Sequence, residues 1–474
     1  MKNFLQAIKK YFVDLGTAIV KGDIWTKLSL VIFGAGYIGH GQVIKGLLVT
    51  ALEAGIILFT GKISWPYIAK LDSLGTVQRE MVLDPVTFQK VENDYDNSLL
   101  ILLMGVLGII IIAAFVFFLI SNVKSNYRIQ KLKEEGKHVN SFLEDLKSLV
   151  NEKFHITLLT LPSIGVIFMC ILPIVFMICI AFTNYDAAHQ PPSNLFTWVG
   201  MKNFINMFSS KGGGSYGYTF ARLLTWTLIW AALATFTTYI GGILLALLIN
   251  HENTKLKKLW RSLFVITISI PQFVTLLLIS KMFSNFGIIN GILSNIGVTG
   301  ALQKMGWITT DYIPFMTQKG WTHVMIVLIN IWIGVPYQML SATGILLNIP
   351  SEQLESARID GANKWQIFWK ITMPYVLFIT GPSLVTSFIG NINNFNVIYL
   401  LTGDYVTADA SLAASNAKDV DLLITWLFRI TADSPKMEYY MASVIGIFVF
   451  VVCAVLSLIT FSNMIKGDRE EVFR

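Results

Sequence analysis

Charge is what this chain has least of. Of its 474 residues, 14% are Asp, Glu, Lys or Arg and 54% are hydrophobic. Soluble domains carry about 25% charged residues. The deficit, with many long apolar runs, argues against a soluble fold and predicts an all-α polytopic membrane protein. Cysteine is nearly absent. Cys170, Cys179 and Cys453 all sit inside apolar runs, which excludes a disulfide framework and gives a metal site no support. Residues 1–27 contain lysines but no short apolar core before a small-residue cleavage site, so no removable signal peptide is expected. A P-loop is missing too. Gly55, Gly61 and Lys62 come near one, but one residue too many separates the glycines, and Ile63 stands where Ser or Thr must reach magnesium. ATP hydrolysis by that route is not expected, nor any cofactor bound by this chain. No clustered acid, base or metal constellation supports a membrane enzyme. The net charge of +7 would suit nucleic acid. Basic residues gathered in alternate loops make membrane topology the better explanation.

A helix needs about 20 mostly apolar residues to cross a bilayer. Eight runs qualify: Ile44–Thr60, Leu99–Ile120, Ile156–Phe182, Leu223–Ile249, Leu263–Phe283, His323–Leu347, Pro374–Leu400 and Met441–Ser462. The first is short and interrupted by Lys45, which can snorkel, and by the deeper Glu53, which must be paired or mark an irregular segment. Lys and Arg cluster after the second run (Lys124, Arg128, Lys131, Lys133), the fourth (Lys255, Lys257, Lys258, Arg261) and the sixth (Arg358, Lys364, Lys370). The positive-inside rule makes these loops, and both termini, cytoplasmic. The segment between the first two runs is then outside, and it is rich in acids (Asp72, Glu80, Asp84, Glu92, Asp94, Asp96). Two parts are expected: an N-terminal hairpin with a basic linker over 1–154, and a six-span core over 155–474. Within the linker, Phe142, Leu146 and Leu149 fall at helical spacing and predict an amphipathic helix on the inner surface.

Gly34, Gly36 and Gly39 match a dinucleotide-binding spacing and follow a strand-like run, Leu28 to Phe33. No soluble α/β domain follows, so the stretch reads as a glycine-rich bend before the first span. The series Gly212, Gly214 and Gly217 reads as a flexible outer loop. More telling are polar faces inside apolar runs. Asn330, Gly334 and Tyr337 share one helical face, and Ser387, Asn391 and Asn394 repeat the spacing. Amides at membrane depth either bond between helices or line a watery cavity. Two matching faces, with Gln272 beside Pro271, favour the cavity. Amides offer donors and acceptors together and suit hydroxyl groups. Trp332, Tyr337 and Phe395 could offer ring faces to a sugar. No Asp, Glu, Lys or Arg lies on these faces, which argues against an ionic substrate or a proton relay. Gly334 and Pro336 would permit a local break.

The polar segment after the sixth run opens with Pro350 and Ser351, a fair N-cap. Glu352 and Glu355 complement a helix N-terminus, and Ala357 and Gly361 remove bulk where another backbone could approach. The series Glu355, Ser356, Ala357, Gly361, Ile371, Pro374 resembles the coupling ("EAA") loop, about 350–373, of binding-protein-dependent ABC import permeases. Ser356 and Met373 are its two departures. The stretches Asn330–Tyr337, Ser387–Asn394, Ile398–Thr402 and Trp198–Phe204 resemble the MalF-like, maltose/maltodextrin branch. The resemblance implies an ABC permease core in the bacterial inner membrane. In it Gln272, Asn330, Ile333, Gly334, Tyr337, Ser387, Gly390, Asn391 and Asn394 line a sugar site. Ile268 and Gly390 replace aromatics, which changes the sugar's pose. Glu355, Ser356, Ala357 and Gly361 couple to an ATPase. It further implies a MalG-like second permease subunit, two ATPase subunits that use ATP and Mg, and an extracellular sugar-binding protein. The loop Thr183–Tyr218 is far shorter than in the enterobacterial subunit. The alternatives are another neutral oligosaccharide, such as galacto-oligosaccharides, or a secondary transporter, which the missing mid-membrane charges disfavour.

Overall fold

A computed structural model describes residues 2–86, 88–209 and 216–465. Compactness divides the chain into two units, Met1–Gly200 and Met201–Arg474. The first contains α1 (Lys2–Lys21), α2 (Ile24–Leu28), α3 (Ala35–Gly39), α4 (Val43–Phe59), α5 (Trp65–Ile68), strands β1 (Met81–Leu83) and β2 (Lys90–Glu92), α6 (Ser98–Glu134), α7 (Phe142–Val150), α8 (Phe154–Val166) and α9 (Leu172–Ile180). The second contains α10 (Lys202–Phe208), α11 (Tyr216–Asn250), α12 (Lys257–Ser269), α13 (Gln272–Met282), α14 (Ile288–Asn295), α15 (Val298–Lys304), α16 (Trp321–Leu346), α17 (Ser351–Ile359), α18 (Lys364–Ile367), α19 (Met373–Ile392), α20 (Phe395–Leu401), α21 (Ala410–Ala414), α22 (Leu423–Phe428) and α23 (Tyr439–Ile465). Among the described residues seven helices are long and apolar enough to cross a membrane, and the bent pair α12–α13 makes eight when taken as one span. The glycine-rich stretch 212–215 lies outside the described residues.

The first span is longer than its apolar run. A π turn, Thr60–Ser64, carries the helix past Gly61 and Lys62, so Val43–Ile68 is one 26-residue helix. Glu53 marks an irregular segment. The strand-like run Leu28 to Phe33 is a string of turns rather than a strand. Its backbone is satisfied from both sides. The Phe33 N–H donates to Glu53 Oε2 (2.8 Å), and Asn122 Nδ2 of α6 donates to the Phe33 carbonyl (2.9 Å). Without water such groups need protein partners. The glycines of the dinucleotide-like motif serve packing. A Cβ on Gly34 would lie 2.0 Å from the Gly46 carbonyl oxygen, and one on Gly36 would lie 2.4 Å from Asn126. Lys45 does not merely reach for solvent, because Nζ pairs with Asp145 of α7 at 2.5 Å. The Ser141–Glu144 capping box starts α7, leaving Leu143 and Leu146 exposed along one side.

Between α5 and α6 the chain forms a hairpin. Its register holds from Val77 opposite Asp96 to Asp84 opposite Gln89, with Val82 opposite Val91 at its centre. Asp96 anchors the base. Its carboxylate accepts Lys70 Nζ (2.6 Å) and the Thr76 and Val77 amides (2.9 and 3.2 Å). Burial pushes the Asp96 carboxyl up, but these hydrogen bonds outweigh that and hold it below the usual carboxylate range. A carboxylate with a depressed pKa contributes stability at neutral pH that is lost as pH falls through the folded value. Asp96→Asn is therefore expected to cost about 1–3 kcal/mol of local stability. Faster amide exchange over residues 70–98 at pH 7, with the wild type showing the same loosening only in acid, is the check.

In the second unit α11 and α16 pack along most of their length. On α11, Ala234, Thr238, Gly242 and Ala246 recur every four residues and are buried. Small residues at this spacing let membrane helices approach closely. A Cβ on Gly242 would lie 2.8 Å from the backbone of Gln338 and Met339, and one on Gly334 would lie 2.7 Å from Thr238 Cγ2. Helix α16 stays continuous through Pro336, so the expected local break is not there. The break occurs in the preceding span instead. α12 and α13 meet at 91°, where Ile270 is extended and Pro271 supplies no N–H.

Candidate functional site

Two apolar clusters bracket a polar belt. One gathers Trp230 and Ala234 of α11, Leu276 and Ile279 of α13, Met325, Ile326 and Ile329 of α16, and Val397, Ile398 and Leu401 of α20. The other gathers Tyr239, Ile243 and Ala246 of α11, Met339 and Ala342 of α16, and Met373 and Val376 of α19, with Phe264 of α12 against it. On every helix the sequence-predicted residues fall in the interval between them. Asn330 to Tyr337 lie between Ile329 and Met339. Ser387 to Asn394 lie between Val376 and Val397. Ile268 to Gln272 form the elbow between Phe264 and Leu276.

Within the belt the residues do different work. Gln272, Tyr337 and Gly390 are exposed, and a Cβ on Gly390 would meet nothing within 4 Å. Tyr337 Oη donates toward the Ile268 carbonyl at 3.5 Å, the limit of a hydrogen bond. That carbonyl belongs to the end of α12, where Pro271 interrupts the ladder. Asn330 is buried. Ile333 packs on the first cluster, and Gly334 brings α16 onto Thr238. Ser387 is half-buried. Asn391 and Asn394 are occupied. Asn391 Nδ2 donates to Thr235 Oγ1 (3.0 Å), its carbonyl accepts the Trp230 indole N–H (3.1 Å), and its Oδ1 accepts Asn394 Nδ2 (3.2 Å). Asn394 also caps α20 through the Val397 N–H (3.4 Å). The pair thus satisfies the break at Asn393 between α19 and α20. Phe395 offers no free ring, since Tyr399 stacks on it at 4.8 Å and Phe428 meets it edge-on at 4.9 Å.

The polar segment after the sixth run contains helix α17, with one correction at its start. Pro350 occupies the N-cap and Ser351 is the first helical residue; no side chain caps α17. Gly361 has a backbone role. Its φ is +81° with open space around the absent Cβ. The Gly361 N–H bonds the Arg358 carbonyl (3.1 Å) and the Ala362 N–H bonds the Ala357 carbonyl (3.0 Å). This double bond pattern with a left-handed residue stops α17. Glu355 and Ser356 are exposed and Ala357 is half-buried. A groove of about 480 Å³ runs along α17, lined by Glu352, Gln353, Ser356, Ala357, Asp360 and Ile371. Ile359, at the helix end, is 86% exposed. The groove's Ile371 comes from a π turn, Phe368–Thr372, that runs directly into α19, so groove and belt share one continuous rod.

Sequence reasoning missed a buried charge knot between α20 and α23. Arg429 Nε donates to both carboxylate oxygens of the fully buried Asp421 (3.0 Å each). Lys319 pairs with Asp419 (2.8 Å), which also accepts from Tyr405 and Thr407. Lys418 Nζ donates to the Thr402 and Gly403 carbonyls (2.9 Å each). Burial, then the Arg429 charge, pushes Lys418 down to about 8. The signal was visible as Lys418, Asp419 and Asp421 separated from Arg429 by a mostly apolar run, a pattern that reads as an ordinary loop.

Several helices long and apolar enough to cross a membrane, with an uncharged polar belt between two apolar clusters, mark a membrane transport component. The chain belongs to the family of binding-protein-dependent transport system inner membrane components, whose model matches residues 238–466. It is 32% identical over 447 residues to the maltodextrin transport system permease protein MdxF of Bacillus subtilis, covering 94% of this chain and 96% of that one. It is 30% identical over 432 residues to the galactooligosaccharides transport system permease protein GanP of the same species, covering 90% and 95%. The fold is shared with the crystal structure of a bacterial ABC transporter involved in import of the acidic polysaccharide alginate, at TM-score 0.51 and 22% identity, over 68% of this chain and 99% of that one.

Proposed function

We propose that this chain is the permease subunit through which an ATP-driven importer passes neutral α-glucan oligosaccharides of the maltodextrin class. The observation that carries the solute class is the belt: amides, hydroxyls and an open tyrosine between two apolar clusters, with no charge from Asn330 to Tyr337 or from Ser387 to Asn396. A neutral polyol matches it, because uncharged amides and hydroxyls both donate to and accept from a hydroxylated ligand. The similarity to a maltodextrin permease along 94% of the chain supports the α-glucan choice. Gln272, Tyr337, Ser387 and Gly390 supply the open faces. Asn330, Ile333 and Gly334 shape the α16 wall, and Asn391 and Asn394 hold the α19–α20 break in place. The permease core is 155–474, and both termini lie in the cytoplasm.

The energy comes from elsewhere. The α17 groove receives a partner ATPase, two copies of which hydrolyse ATP with Mg. A second permease subunit completes the pathway, and an extracellular binding protein delivers the sugar. Closure of the ATPase pair moves α17, and the rod Lys364–Ile392 carries that movement to the belt in an alternating-access cycle. The similarity to GanP supports galacto-oligosaccharides as the second reading. Uptake of labelled neutral oligosaccharides is the test, in cells with and without this chain, partners present. Maltodextrin uptake is expected to fall at least tenfold without it. Loss of galacto-oligosaccharide uptake alone would transfer the assignment to the second reading, and uptake that persists without any ATPase partner would overturn the importer.

A further inference from the structure

The hairpin between α5 and α6 has no role in the transport path described above, yet it is built to project. The two three-residue strands continue in the same register over eight residues a side, Val77–Asp84 and Gln89–Asp96, a reach of roughly 25 Å at about 3.4 Å per residue. Its sheet has two strands and no third among the described residues. Its surface is apolar where water would surround it. Val86 and Phe88 at the tip are 83% and 76% exposed, and Met81 and Leu83 are 62% and 60% exposed on one face. Phe88 is held at φ +52°, a backbone region that bulky residues rarely occupy. Between Val77 and Asp96, five carboxylates (Glu80, Asp84, Glu92, Asp94, Asp96) stand against two cations (Arg79, Lys90).

We infer that this arm is a docking element for the extracellular binding protein, its tip residues Val86 and Phe88 entering an apolar pocket rimmed by basic or N–H donor groups. The inference rests on the importer reading and on the sidedness read from the basic loops. Exposed apolar surface of this kind marks an interaction site, and a protruding aromatic is the usual energetic anchor of one. The acidic flanks select the occupant. Elements that lie on lipid pair their apolar side with Lys and Arg, the reverse of what this arm carries. The arm stands on the side opposite the basic loops, so the ATPase cannot reach it. Of the partners this function requires, a soluble protein with a basic rim fits the arm's net charge.

The test uses the assembled importer in nanodiscs. Phe88→Cys, in a chain with Cys170, Cys179 and Cys453 replaced by serine, carries an environment-sensitive bimane. The probe proteins are the same cell's purified maltodextrin-binding protein with maltotriose and its galacto-oligosaccharide-binding protein with its sugar. A saturating blue shift on adding whichever protein stimulates ATP turnover is the expected result. In parallel, Val86→Ser with Phe88→Ser is expected to raise the half-saturating concentration of that protein at least tenfold, leaving basal and saturated turnover unchanged. Stimulated turnover with no bimane shift overturns the arm and leaves the importer standing. So does a shift already complete in nanodiscs before protein is added, which would put the tip in lipid. Stimulation by the galacto-oligosaccharide-binding protein alone moves the substrate assignment, and the arm is still judged by the same shift. Stimulation by neither protein removes the partner on which both readings depend.

Discussion

Gly242→Leu is expected to remove the folded permease from the membrane. The position lies in the C-terminal half of α11, where the α16 backbone comes within 2.8 Å of a Cβ that glycine does not have. Overpacking typically costs 1–3 kcal/mol, and more where backbone rather than a flexible side chain must yield. Here the obstacle is backbone on both sides, so the helices must separate. Separation undoes the burial of Tyr239, Ile243, Met339 and Ala342 together. A loss of about 3 kcal/mol or more is a large share of a total stability of about 5–15 kcal/mol. Gly390→Leu supplies the contrast, because nothing lies within 4 Å of its Cβ position. That variant should reach the membrane at wild-type abundance and lose sugar uptake instead. Membrane abundance and detergent melting temperature, measured for both, separate the two. Equal abundance would mean that α11 and α16 do not pack as described.

The sequence made the spans legible because membrane solvent imposes a coarse rule, and an apolar run long enough to cross becomes a helix almost regardless of detail. What it hid were the places where that rule is locally suspended. Gly61 and Lys62 looked like the end of the first span, yet a π turn carries the helix through them. Leu263–Phe283 read as one apolar run, yet Pro271 within it stands at a 91° elbow, while Pro336, which looked able to break its helix, does not. The difference is tertiary. α16 is held straight along α11, whereas the elbow's freed Ile268 carbonyl finds Tyr337. The polar faces were found because helical spacing repeated on two spans. Spacing alone could not show that Asn391 and Asn394 spend their amides on Thr235, on each other and on a helix cap. Nor could it show that Gly361 ends a helix at φ +81°. The outer hairpin gave no signal beyond its acids, since its strands are only three residues each.

The backbone role of Gly361 determines the best probe of coupling. A bulky residue there would fail for a backbone reason. Holding φ +81° costs an L side chain about 1–2 kcal/mol, and the end of α17 would fray whether or not a partner docks. Ser356 is the cleaner position: it is exposed, helical and part of the groove with Glu352, Gln353, Ala357, Asp360 and Ile371. Trp has room there in the isolated chain, so Ser356→Trp should fold and reach the membrane normally. It fills the groove that the proposed ATPase must enter. Sugar uptake is expected to fall at least 100-fold, the ATPase subunits to be lost on co-purification, and the second permease subunit to be retained. The retention matters, because a general folding defect would lose every partner at once. Wild-type uptake from Ser356→Trp would mean that the α17 groove is an ordinary loop surface and that force reaches the belt by another route.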